Sequence, residues 1–175
     1  MIFEPLLVPG QPANLSQLMD YVTWAAAAFG LDDAATYRLS LAVDEIATNI
    51  VLHGYEDAGL SGDLRIWAET VIGAETELAA KAELGAEAEW GAAPDILSIY
   101  LEDTGAPFDP RQAPQPPDLD RPLEERRDGG LGIFLALWGV DGFVYEHEGN
   151  KNRCLFQMHR RKPAAGDAAP PDGLF

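Results

Sequence analysis

Apolar residues follow two rhythms along the chain. Leu15, Leu18, Val22, Ala25 and Phe29 recur at steps of three and four, which predicts a helix that starts at a capping box of Asn14 with Gln17 and ends at Gly30. Leu39, Val43, Ile46 and Ile50 keep that step, so a second helix is expected from a cap at Asp32 through Glu45 and Asn49 to His53, stopped by Gly54. Elsewhere the period is two. Ile2 to Val8 is a short extended run closed by Pro9-Gly10, and Leu64, Ile66 and Ala68 alternate with Arg65, Trp67 and Glu69. Ile96 to Leu101 reads as a further strand, and Phe143 to Tyr145 with Cys154 to Met158 as a closing hairpin across Glu148-Gly149-Asn150. Ile133 to Trp138 is apolar nearly all round and predicts a buried helix. The order is strand, two helices, two strands, helix, two strands. That predicts an α/β (α+β) two-layer sandwich, its mixed, mostly antiparallel sheet covered by helices on one face.

Three stretches break these rhythms. Gly73 to Pro94 is rich in Ala and Glu, and reads either as a strand extension with a loop or as a short solvated helix: an acidic insertion without chemistry of its own. Phe108 to Asp128 carries Pro110, Pro114, Pro116, Pro117 and Pro122 with few apolar residues, as a functional lid or a disordered segment does. Residues 163–175, rich in Ala, Pro and Asp, read as a loose tail behind a single domain of residues 1–162.

Charge narrows the choice of ligand. With 29 acidic against 12 basic residues, the net charge of -17 repels a phosphate backbone and argues against direct nucleic-acid binding. A polyanionic ligand such as a nucleotide then has to be met by local donors or a bound metal ion. Cys154 is the only cysteine, which excludes an internal disulfide, suits a reducing compartment and leaves packing in a strand as its role. No apolar stretch is long enough to span a bilayer and the first residues lack a leader pattern, so a soluble, cytoplasmic protein is expected.

Three motifs carry candidate chemistry. Glu45 and Asn49, one helical turn apart, point the same way on the flank of an apolar stripe. Asn49 offers a neutral oxygen to a hard cation such as magnesium, and Glu45 can accept a proton. Asp103-x-Gly105-x-Pro107 follows a strand: Asp103 can take a hydrogen bond from the exocyclic amine of a base, and Gly105 lets a ring approach the backbone. Gly129-Gly130-Leu131-Gly132 feeds a helix N-terminus, where backbone amides face phosphate, with Arg126 or Arg127 in reach of a terminal phosphate.

Taken together, and in this order with a lid between the last two, these motifs resemble those of the ATPase superfamily that includes gyrase, the heat-shock chaperone of the Bergerat fold and the histidine kinases. Within it the chain is most similar to the small anti-sigma-factor serine/threonine kinases, through Glu45-Ile46-Ala47-Thr48-Asn49, His53-Gly54-Tyr55, Pro107-Phe108-Asp109-Pro110, Leu123-Glu124-Glu125-Arg126 and Asn152-Arg153. The resemblance spans roughly Leu6 to Arg160. It implies a Bergerat-type ATP site that uses ATP and Mg2+, with Asp103 on adenine, Asn49 on the metal, the Gly130 to Gly132 turn on the phosphates, and Glu45 as base toward a protein hydroxyl. The implied partners are a STAS-type anti-sigma-factor antagonist and a sigma factor or similar regulator, with a homodimer as one arrangement. The acidic insertion, absent from compact relatives, and the acidic surface depart from the pattern. His53 is expected to pack or cap rather than to carry a phosphoryl group.

Overall fold

The computed structural model describes residues 2–71, 96–112 and 131–160. The insertion at 73–94, the lid beyond Gln112, the Arg126 to Gly130 approach to the last helix and the tail at 163–175 lie outside those residues. Among the described residues five strands, β1 (Leu6–Pro9), β2 (Asp63–Val71), β3 (Ile96–Asp103), β4 (Gly142–Glu148) and β5 (Lys151–His159), form one sheet in the order β1-β2-β3-β5-β4. Every pairing in it is antiparallel. Helices α1 (Leu15–Phe29), α2 (Asp33–Asn49) and α3 (Leu131–Gly139) form the second layer, with α2 packed between the other two.

Alternation explains the sheet. Leu64, Ile66 and Ala68 of β2, Leu97, Ile99 and Leu101 of β3, and Cys154, Phe156 and Met158 of β5 are buried on the face toward the helices. Leu18, Val22, Ala25, Leu39, Val43 and Ile46 meet them from α1 and α2 in one core, each large apolar side chain contributing roughly 1.5–3 kcal/mol. On the opposite face Trp67 stacks on Tyr100, and Glu102 is held between Lys151 and Arg153. No helix among the described residues is long and apolar enough to cross a membrane.

Local details depart from the sequence pattern in three places. The Asn14 side chain does not cap α1: it donates to the Pro9 carbonyl and accepts from Gln17, because the chain enters α1 from a 3-10 turn at Pro12–Asn14 that already uses helical backbone angles. Asp32 does cap α2, accepting from the Ala35 amide. Gly54 does not stop α2, whose winding widens after Asn49 into a π-helix over Ile50–Glu56. Gly54 lies within that widened turn and its carbonyl accepts from the Ala106 amide, tying the turn to the loop after β3. Finally, α3 is not buried all round. Ile133 and Ala136 are buried, but Trp138 is 78% exposed and Phe134 is exposed too, because among the described residues α3 sits at the margin of the helical layer and packs chiefly on α2.

Candidate functional site

A cavity of about 380 Å³ opens between the end of α2, the π-turn, the loop after β3, and the β4–β5 hairpin. Its polar lining residues are Asn49, His53, Asp103, Tyr145 and Asn152, set among apolar side chains that include Ile46, Ile50, Pro107, Phe108 and Ile133. Such a cleft, mostly apolar with a few converging polar groups, is suited to a flat ring with a polar edge.

Asp103 is one of the two most deeply buried of those polar groups, at 3% exposure beside 2% for Asn152. It ends β3 directly opposite Asn152 of β5. Its Oδ1 accepts two hydrogen bonds, from Asn152 Nδ2 at 2.8 Å and from the Gly105 amide at 2.8 Å. Among the described residues Oδ2 has no partner, which leaves it to a ligand in the cavity. Desolvation raises the Asp103 pKa above the ordinary carboxylate value, while the Asn152 and Gly105 hydrogen bonds work the other way. Gly105 is required by close approach. A Cβ there would lie 2.9 Å from the Gly54 carbonyl oxygen, and the loop could not seat against the π-turn.

Asn49 stands at the junction of α-helix and π-turn, where its Nδ2 donates to the Glu45 carbonyl at 2.7 Å. That bond commits the amide nitrogen, so Oδ1 is presented as the free acceptor, as a metal ligand must be. One turn earlier, the half-buried Glu45 carboxylate lies against Gly132 at the start of α3, and a Cβ on Gly132 would overlap it. Gly132 thus allows α3 to approach Glu45. The described residues hold no group of three or more His, Cys, Asp or Glu side chains able to cage an ion. One neutral oxygen with a carboxylate a turn away fits magnesium, which keeps most of its waters and is shared with substrate phosphates.

The structure therefore brings Asn49, Asp103 and Pro107 into one cavity, ties Gly105 to Asp103 behind its lining, and sets Glu45, one turn from Asn49, against Gly132. Leu131 opens α3. Arg126, Arg127, Gly129 and Gly130 lie outside the described residues. His53 is neither packed nor a cap: it borders the cavity, largely exposed, with Nδ1 2.6 Å from Asp57 Oδ2. Cys154 is buried in β5 as expected, yet it also lines the cavity, and desolvation pushes its thiol pKa far up, so that it acts as an apolar wall.

Sequence reasoning missed the far wall of the cavity. The Tyr145 hydroxyl donates to Asn152 Oδ1 at 2.8 Å and His147 Nδ1 lies 2.9 Å from the same atom, while Asn152 Nδ2 also donates to the Gly105 carbonyl at 3.1 Å. Beside the Asn152-Arg153 motif of the resemblance, which by itself carries no role, the signal in the sequence is that Tyr145 and His147 are two apart in one strand and Asn152 and Cys154 two apart in the next, hence on one face each. The register that joins them, His147 to Asn152 and Tyr145 to Cys154, is a tertiary fact. Tyr55 is a second omission. Its hydroxyl donates to the Asp63 carbonyl and accepts from the Thr104 amide, fixing the start of β2 against the loop that follows Asp103.

Compared with known proteins, residues 8–157 match the family model described as histidine kinase-like ATPase domain. No curated protein matches the chain.

Proposed function

From the chain's membership of the histidine kinase-like ATPase domain family, which makes it an ATP-binding protein, we propose that it is a regulatory protein serine/threonine kinase of the anti-sigma-factor type. In this reading it phosphorylates a STAS-type antagonist and sequesters a sigma factor or similar regulator. The observation that carries it is the placement of a carboxylate, Glu45, against the N-terminal end of α3 and one turn from Asn49, which lines the same cavity as Asp103.

The division of labour follows from that line of residues. Asp103 Oδ2 accepts from the exocyclic amine of adenine, and the ring lies between the Ile50 side and the Pro107–Phe108 side of the cavity. Asn49 Oδ1 holds magnesium, which when bound neutralises phosphate charge. The amides of the turn ending at Gly132, with Arg126 or Arg127, hold the phosphates. Glu45 takes the proton from the partner's serine or threonine hydroxyl as its oxygen bonds to the γ-phosphorus, and the bond to the β–γ bridging oxygen breaks to release ADP.

Radiolabel transfer from ATP to a purified antagonist-like protein tests this, with nucleotide and partner binding measured alongside. Glu45→Gln is expected to bind nucleotide and partner normally while transfer falls by roughly two to four orders of magnitude. Equal transfer by Glu45→Gln and the unaltered protein refutes the base assignment. One observation favours a second reading, a sequestering module that binds ATP without turnover: the Glu45 carboxylate is packed on Gly132 and has to swing clear to meet a hydroxyl. Partner binding without transfer, in the unaltered protein, would select it.

A further inference from the structure

Asn152 is 2% exposed and uses its whole hydrogen-bonding capacity. Its Nδ2 faces Asp103 Oδ1 at 2.8 Å and the Gly105 carbonyl at 3.1 Å, and both of these are acceptors. The amide orientation is thereby settled by chemistry, since the flipped amide would set oxygen against two oxygens. Oδ1 must then receive its two bonds from donors, and it does: the Tyr145 hydroxyl at 2.8 Å and His147 Nδ1 at 2.9 Å. Any rotation of Asn152 breaks bonds at both ends, so the side chain is clamped.

What the clamp does is visible at Asp103. A carboxylate end is symmetric, and a buried one with free torsion can present either oxygen, at a variable angle, to the cavity. Here Oδ1 is pinned from one side by the Gly105 amide two residues on and from the other by Asn152 on the neighbouring strand. Only Oδ2 remains, with a fixed direction. Asn152 and Tyr145 also line the cavity, so the same hairpin that aims the carboxylate supplies the wall beside it.

We propose that Asn152, clamped by Tyr145 and His147, is a positioning residue for nucleobase recognition: it holds Asp103 so that one oxygen reads the exocyclic amine of an incoming base. The proposal rests on the adenine reading of Asp103 given above. It assigns a base-discriminating role to the β4–β5 hairpin, distinct from the phosphate end of the site.

The test compares magnesium-ATP with the triphosphate of purine riboside, which lacks only the amine, by calorimetry on the full chain and on Asn152→Ala and Tyr145→Phe. The unaltered protein is expected to prefer ATP by about tenfold or more, the worth of a hydrogen bond to a charged group. Asn152→Ala should cut that preference to below about threefold, a loss in the ratio of the two affinities that general loosening of the wall, which weakens both nucleotides alike, would not give. Asn152→Ala that weakens both nucleotides equally and keeps the preference overturns the proposal but leaves the adenine reading standing. No preference in the unaltered protein overturns both. Should Asn152→Ala not fold, Tyr145→Phe decides, because it deletes one hydroxyl and keeps the ring in the wall: a preference reduced about two- to fivefold supports the proposal, and an unchanged one overturns it.

Discussion

Replacing Asp103 by Asn should weaken nucleotide binding and strengthen the empty fold at the same time. The variant amide can keep its oxygen where Oδ1 is, still accepting from Asn152 and the Gly105 amide, so the two bonds of 2.8 Å survive. Its NH2 group then falls at the Oδ2 position and points a donor at the amine of adenine, itself a donor. Losing a hydrogen bond to a charged acceptor costs about 1.5–3 kcal/mol, so affinity for ATP should drop by roughly one to two orders of magnitude. Stability moves the other way. Burial raises the folded pKa of Asp103 above the ordinary carboxylate value, so between the unfolded and the folded pKa the native chain keeps a proton that the unfolded chain has already released. Stability linked to this group is therefore greatest below the unfolded pKa, declines as pH rises through the window up to the raised folded pKa, and stays lower above it. Asp103→Asn removes that decline. Thermal melts from pH 3 to 8, paired with ATP calorimetry at neutral pH, read both effects. An Asn variant that binds ATP as the unaltered protein does, or that melts lower than it at neutral pH, would refute the geometry assigned to Oδ1 and Oδ2.

Gly105→Ala should destabilise the fold by about 1–3 kcal/mol in urea titration, because its Cβ would stand 2.9 Å from the Gly54 oxygen and 3.1 Å from Asp103 Oδ1, forcing the loop off the π-turn; a cost below the error of the method would count against that contact. Glu102→Gln should have its effect in acid-to-neutral melts. Burial alone would raise the Glu102 pKa, but hydrogen bonds from Lys151 and Arg153 bring it below the ordinary value, so the stability it gives is present above the unfolded pKa and is lost as pH falls through the lowered folded one. Lys151 and Arg153 are 53% and 42% exposed in their side chains, which limits the loss at neutral pH to about 1 kcal/mol or less; a Gln variant with an unchanged acid transition would contradict the pairing.

The elements and their order were legible in the residues themselves, because hydrophobic burial imposes its period on the chain. Steps of three and four can bury only one face of a helix, and alternation can bury only one face of a strand. This is why α1, α2, the alternation of β2 and the closing hairpin across Glu148-Gly149-Asn150 could be read from the sequence, although the turn itself is one residue shorter, Gly149-Asn150. The pairing of Glu45 with Asn49 was legible for the same reason, being four residues apart on one helix. Three other features were not, and each depends on something far away in the chain. The π-turn at Ile50–Glu56 leaves no mark in a periodicity, and it exists where Gly54 meets the loop at Gly105–Ala106. The exposure of Trp138 follows from the place of α3 at the margin of its layer among the described residues, since an apolar composition cannot tell a helix at the margin from one at the centre. The clamp on Asp103 joins residues 103, 145, 147 and 152 through strand register, which the sheet as a whole selects and no local stretch contains. Sequence by itself determined which groups this protein has for chemistry; only the tertiary structure decided which oxygen of Asp103 faces the cavity, because that direction is fixed by donors from other strands.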